Sequence, residues 1–146
     1  DLEKMRLQDQ MEFKINVESN IDKNNLIPHL LIQPHVENAI KHGIANLVDK
    51  VGILEIEFKQ LGNDIICSIK DNGIGRKASK LLDSMGEFHT SKGTELSKEK
   101  SVLLNQYYNY KCTIDVIDLY TNDGLSKGTE VIIKMPNNYQ KADTKL

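Results

Sequence analysis

Leu54-Glu55-Ile56-Glu57-Phe58-Lys59, Gly62-Asn63, Ile65-Ile66-Cys67-Ser68-Ile69-Lys70 and then Asp71-Asn72-Gly73-Ile74-Gly75 form the stretch that decides the fold. Leu54, Ile56 and Phe58 alternate with Glu55, Glu57 and Lys59, and Ile65, Cys67 and Ile69 alternate with Ser68 and Lys70. Period-two alternation places each set on one face of a half-buried strand, and Gly62-Asn63 between two such runs predicts a hairpin. Continuing the same parity, Asp71 points to the core face with Ile65, Cys67 and Ile69. A carboxylate ending a core-facing row, followed at once by two glycines, is placed to accept hydrogen bonds from a ligand whose body lies on apolar surface. A plain turn at Asn72-Gly73 is the alternative. No strand pattern follows it, however, and Gly73 and Gly75 permit close backbone approach just before a helix.

Outward from this hairpin, residues 1–10 are charged and helix-favouring and run into a short alternating segment, Glu12 to Glu18, which predicts an edge strand. Pro28 opens a helical pattern ending near Gly43, with proline in the first turn and glycine at the end. Pro34 inside it costs a hydrogen bond and predicts a kink. At 100° per residue, Leu30, Ile32, Val36, Ala39, Ile40 and Ile44 share a broad apolar face, and His35, Asn38, Lys41 and His42 lie opposite. Gln33 and Glu37 fall toward the apolar side, where an amide or carboxylate needs a partner. Downstream come a short basic helix, Arg76 to Ser84, a polar loop through Thr94, and a helix from about Ser97 to Tyr108. Strand Cys112 to Leu119, the turn Asn122-Asp123-Gly124, and a last strand Thr129 to Met135 stopped by Pro136 complete the pattern. Helices mixed with hairpin-connected strands predict a two-layer α/β sandwich, its sheet mixed but mainly antiparallel, with helices on one face.

The chain's 146 residues are enough for one domain with its own core. With 39% hydrophobic and 27% charged residues the composition is that of a globular domain. Nineteen basic against 21 acidic residues give a net charge of −2 and no overall cationic field, which argues against nucleic acid as a partner. No stretch approaches 18 consecutive apolar residues, and the amino terminus, Asp1-Leu2-Glu3-Lys4, has no signal-peptide pattern. The expectation is a cytoplasmic domain outside the membrane, any anchor lying in a longer parent. Cys67 and Cys112 fall in alternating apolar segments and are expected as reduced, packed thiols.

Three segments in this order carry a family resemblance: Gln33-Pro34-His35-Val36-Glu37-Asn38-Ala39-Ile40-Lys41-His42-Gly43, Asp71-Asn72-Gly73-Ile74-Gly75 and Ser126-Lys127-Gly128-Thr129. They closely resemble the asparagine box, first glycine box and Gly-Thr strand of sensor histidine kinases. The Gln-Pro…Glu-Asn-Ala…Lys-His-Gly run, with Ile27-Pro28 before it, looks like the LytS-type branch. The resemblance covers about residues 1–136. It implies the GHKL (Bergerat) ATP-binding fold, with residues 1–10 the end of a preceding dimerisation and phosphoacceptor helix, 11–136 the ATP-binding catalytic domain, and 137–146 a flexible tail.

The resemblance also implies roles by position. Asn38 would give its side-chain oxygen to Mg²⁺, and Lys41, with His42 beside it, would approach the phosphates. Asp71 would accept the adenine amino group and so prefer ATP to GTP. Gly73, Gly75 and Gly93 would let nucleotide lie close to backbone, and Thr129 would support the adenine-binding carboxylate. Glu37 is the nearest carboxylate for a catalytic base. Two positions depart from the family pattern. Pro34 stands where many relatives carry Glu or Asn, and Glu95 in Gly93-Thr94-Glu95-Leu96 replaces a glycine of the second glycine box.

His29, His35, His42 and His89 do not sit in a phosphoacceptor motif, which in this family lies on an upstream helix. The implied function is transfer of the ATP γ-phosphate to that upstream histidine in a homodimeric parent, feeding a response regulator. A nucleotide-sensing or dimer-docking module that binds ATP without phosphotransfer is the alternative. An anti-sigma kinase-like regulator is a third reading, which the Gln-Pro…Lys-His-Gly run disfavours.

Overall fold

The computed structural model describes residues 10–22, 29–85 and 111–137. The helix expected over 97–108, the tail, Gly93, Glu95 and His89 lie outside the described residues. Five strands form one sheet in the order β1-β2-β3-β5-β4: β1 (Met11–Val17), β2 (Gly52–Leu61), β3 (Asp64–Asp71), β4 (Thr113–Tyr120) and β5 (Ser126–Pro136). β1 lies parallel to β2 at one edge, and every other pair is antiparallel. Helix α1 (His29–Asn38) continues through a π turn (Ala39–Gly43) and a 3₁₀ turn (Ile44–Asn46), and α2 (Arg76–Met85) follows the glycine loop. The mixed, mainly antiparallel sandwich expected from the alternation is the observed one.

Register makes the helix-facing side of the sheet a set of rows, because directly paired residues point to the same face. Ile15, Ile56, Ile69, Val131 and Val116 stand abreast, and so do Val17, Phe58, Cys67, Ile133 and Ile114. Ile65 and Met135 pair in the next row. Leu54, Ile65, Cys67, Ile69, Ile133 and Met135 are buried almost completely, and Leu31 of α1 packs among them. At the opposite end one row changes character: Phe13 and Leu54 are followed by Asp71, Thr129 and Asp118. The outer face is polar and carries ion pairs such as Lys14–Glu55 and Lys134–Asp64 and the Ser68–Glu130 hydrogen bond.

The hairpin forms at Gly62-Asn63 as expected, with Leu61 opposite Asp64. Cys67 and Cys112 are unbridged and buried, and burial pushes the Cys67 thiol up to about 12. No helix among the described residues is long and apolar enough to cross a membrane.

Helix α1 differs from expectation in which face it buries. Leu31, His35, Ala39 and Gly43, spaced by four, form the buried line, with Ile32, Val36 and Ile40 partly buried beside it. His35, expected on the polar face, is only 3% exposed, while Asn38 and His42 are half-buried on the flank and Lys41 is exposed. Gln33 and Glu37 are exposed rather than turned toward the core, and the Gln33 amide donates to Glu37 Oε1 at 2.7 Å. An imidazole counts as polar in a periodicity, so the true centre of the buried stripe was invisible to it. The helix runs through Pro34, and the irregularity falls afterwards, in the π turn.

His35 Nε2 has no hydrogen-bond partner among the described residues, and burial holds the imidazole below its ordinary value of 6.5. Because the folded state favours neutral imidazole, His35 takes stability away as pH falls through 6.5, where the unfolded chain binds the proton more readily. His35→Leu, similar in volume, should raise stability by about 1–3 kcal/mol. The gain should be larger at pH 5 than at pH 8 in denaturant titrations.

Candidate functional site

The polar row ends at Asp71, which is 6% exposed. Its Oδ1 accepts the Gly73 N–H at 2.8 Å, and the Thr129 amide donates to the same carboxylate. Burial pushes the carboxyl from its ordinary 3.8 up to about 6, and the two amides act in the other direction. Desolvation therefore outweighs hydrogen bonding, as befits a group on a core face with only backbone donors around it.

Glycines let the backbone close in on this carboxylate. A Cβ on Gly43 would lie 2.9 Å from Asp71 Oδ1. One on Gly73 would lie 2.7 Å from that atom and would overlap the Gly43 backbone. The Ile74 N–H donates to the Gly43 carbonyl at 3.3 Å, so the π turn and the glycine loop meet backbone to backbone. This contact joins the Asn38-Lys41-His42 segment to the Asp71 segment, which are far apart in sequence. π turns of this kind recur where a helix is adapted to a site.

The other side of the loop is equally close. Gly75 has φ +82° and Gly128 φ +118°, conformations that side chains resist. A Cβ on Gly75 would collide with Ser126 Oγ, and one on Gly128 with the Asp71 carbonyl. Asn72 ties the loop to β2: its Oδ1 accepts the Ile53 N–H at 2.6 Å and its Nδ2 donates to the Val51 carbonyl at 2.9 Å. At the end of the π turn, Asn46 Nδ2 donates to the His42 carbonyl at 3.1 Å.

Asp71, Gly73, Gly75 and Thr129 thus come together, and Gly43 brings the helix end to them. Lys41 is exposed and has room to reach outward, Asn38 and His42 flank the stripe, and Glu37 is held by Gln33 on the solvent side. Gly43, Asn72, Ser126 and Gly128 are site-forming residues that the sequence reading gave no role. Their signal was their place inside the quoted motifs.

Among the described residues no group of three or more His, Cys, Asp and Glu gathers to hold an ion. A buried carboxylate can accept from an exocyclic amino donor, and the half-buried Asn38 carries a neutral amide oxygen.

No protein-family profile matches the chain. The sensor histidine kinase YpdA of Escherichia coli (strain K12) is 30% identical over 141 residues, 93% of this chain and 22% of that protein. The catalytic domain of the histidine kinase ThkA superposes with a TM-score of 0.53 at 12% identity, covering 95% of this chain and 88% of that one. The chain has the catalytic-domain fold of histidine kinases. Full-length ShkA, solved in complex with AMPPNP, matches with a TM-score of 0.60 at 14% identity over 97% of this chain and 29% of its own length. The expected resemblance to sensor histidine kinases is matched by a sequence similarity to YpdA across most of the chain. The chain spans only 22% of YpdA and 33% of the next relative, the uncharacterised YwpD of Bacillus subtilis (strain 168).

The raised carboxyl of Asp71 has a stability consequence of definite sign. A folded-state value above the unfolded one means the proton favours folding, so the contribution is present below pH 3.8 and is lost as pH rises through about 6. Relative to Asp71→Asn, the parent chain should lose about 3 kcal/mol between pH 3.5 and 7.5. Chemical denaturation of both proteins across that range measures it.

Proposed function

We propose that this chain is the ATP-binding catalytic domain of a sensor histidine kinase of the LytS-type branch, transferring the ATP γ-phosphate to a histidine upstream of residue 1. The observation that carries the reading is Asp71, a buried carboxylate at the end of a core-facing row, on which the Gly43 and Gly73 backbones close because neither residue has a Cβ. Adenine at that end of the row would donate its amino hydrogen to the carboxylate, whereas guanine would present a carbonyl to it. An ionised Asp71 near pH 7 costs stability unless it gains a donor, which is the mark of a residue kept for binding.

Asn38 would hold Mg²⁺ through its amide oxygen, with phosphates and water completing the shell. The ion would neutralise phosphate charge during transfer. Lys41 would draw the phosphates toward the helix end, and His42, half-buried beside it, would line the same side. Glu37, whose Oε1 accepts the Gln33 amide, would use its other oxygen as the base. Thr129 would support the adenine carboxylate from its place opposite Asp71 in β5. Gly93 and the segment around it would cover the phosphates. In the transfer the bond from the γ-phosphorus to its bridging oxygen breaks, a histidine nitrogen bonds to phosphorus, and ADP leaves. The acceptor helix, a second copy of the parent and a response regulator are the partners this role requires, in the cytoplasm.

Calorimetry with ATP, ADP and GTP, with and without Mg²⁺, tests the binding half. ADP and ATP should bind and GTP should bind at least about tenfold more weakly, the worth of one well-placed polar contact. Asp71→Asn should remove binding, and Asn38→Ala should remove its Mg²⁺ dependence while leaving the fold intact. Affinity that ignores Mg²⁺ in the unsubstituted chain would sink the metal assignment.

The chain alone should not phosphorylate itself. Fusion to the upstream helix should restore an acid-labile phosphohistidine. Persistent absence of label in a full-length parent that binds Mg-ATP would favour the nucleotide-sensing module, and Glu95 would be the first residue to revert to glycine.

A further inference from the structure

Arg76 is the first residue of α2, directly after Gly75. Its Nε donates to Asp118 Oδ1 at 2.7 Å and its Nη2 to Oδ2 at 2.8 Å, a two-pronged fork between α2 and β4. The placement is unusual for a cation. Helix N-termini favour negative charge, yet α2 begins Arg76-Lys77 with Lys80 close behind and has no acidic residue in its first turn. Asp118 supplies the missing negative charge from another strand. The Arg76 hydrogen bond, and then the positive charges of Arg76, Lys77 and Lys80, hold its carboxyl below the usual range.

Both side chains are partly exposed, and an exposed pair adds little to global stability. What the fork fixes is position. Asp118 stands opposite Thr129, and Thr129 opposite Asp71, so the three share one row across β4, β5 and β3. Asn72 fastens the front of the glycine loop to β2, and Arg76 fastens its back to β4. Between those two ties lie Gly73, whose amide reaches Asp71, and Gly75, packed on Ser126.

We infer that Arg76 and Asp118 are positioning residues of the adenine site: their fork pins the start of α2 to β4 and so keeps the Gly73 amide on Asp71 and the glycine loop pressed against β5. The inference rests on the nucleotide reading above for its functional half. The anchoring half stands on the chain's own geometry.

Arg76→Gln and Arg76→Lys separate the two halves. In the nucleotide-free chain, amide hydrogen exchange read by NMR should be about tenfold faster at Gly73 in Arg76→Gln. Exchange at Ile56 and Cys67, and the unfolding midpoint, should stay unchanged. ADP should bind about tenfold more weakly. Arg76→Lys should recover only part of both, because an ammonium cannot make the fork. Unaltered exchange at Gly73 in Arg76→Gln overturns the anchoring. Faster exchange with unaltered ADP affinity overturns the positioning role. If the unsubstituted chain binds no adenine nucleotide, the site reading falls, while Gly73 exchange still decides the anchoring.

Discussion

A carboxylate pressed into the core-facing side of a sheet is the constraint around which this chain is arranged. Asp71 continues the parity of Ile65, Cys67 and Ile69, so the strand that builds the core also delivers a charge to the end of it. Charge there is costly, and only backbone donors relieve it: the amides of Gly73 and Thr129. Those donors can approach only if nothing is in the way. That requirement reaches Gly43 in the π turn, Gly73 in the loop and Gly128 in β5, residues far apart in sequence that meet within one small volume. The cost persists even so, which explains why such a group is kept only where something else satisfies it.

The sheet converts this local constraint into an architecture. Two full rows of apolar side chains, with Ile65 and Met135 beyond them, give α1 a surface to pack on. The polar row lies past the end of that surface, where the helix loosens into its π and 3₁₀ turns. The apolar and polar ends of the strands are thereby distinct: substitutions near Cys67 change the core, and substitutions near Asp71 change the contacts of the glycine loop. Asn72, bonded to β2, and Arg76, bonded to β4, make the loop between them part of the sheet's frame. A site set on rigid elements holds its geometry before a ligand arrives.

Much of this was legible in the sequence because strand parity is strict. Alternation in Leu54–Phe58 and Ile65–Ile69 predicted the hairpin, the core face and the inward aim of Asp71, and all three are observed. The edge position of the first strand followed as well, although its parallel pairing with β2 depends on a connection no local pattern encodes. Helix α1 was read less well. Its buried line passes through His35, a residue whose ring packs like an aliphatic side chain when neutral, and the periodicity treated it as polar. Gln33 and Glu37 were given to the wrong side for the same reason, and their pairing with each other removes the need for a core partner. The Arg76–Asp118 fork was invisible because its members are 42 residues apart and each looks like an ordinary surface charge.

In the proposed role, nucleotide enters at one end of the sheet, against Asp71. An ADP titration followed by amide chemical shifts in the presence of Mg²⁺ tests that claim most directly. The resonances of Gly43, Gly73, Gly75 and Thr129 should move together and saturate at one ligand per chain, while those of Gly62 and Asn63 at the far turn stay still. Shifts confined to the far turn, or spread evenly over the outer face of the sheet, would contradict it.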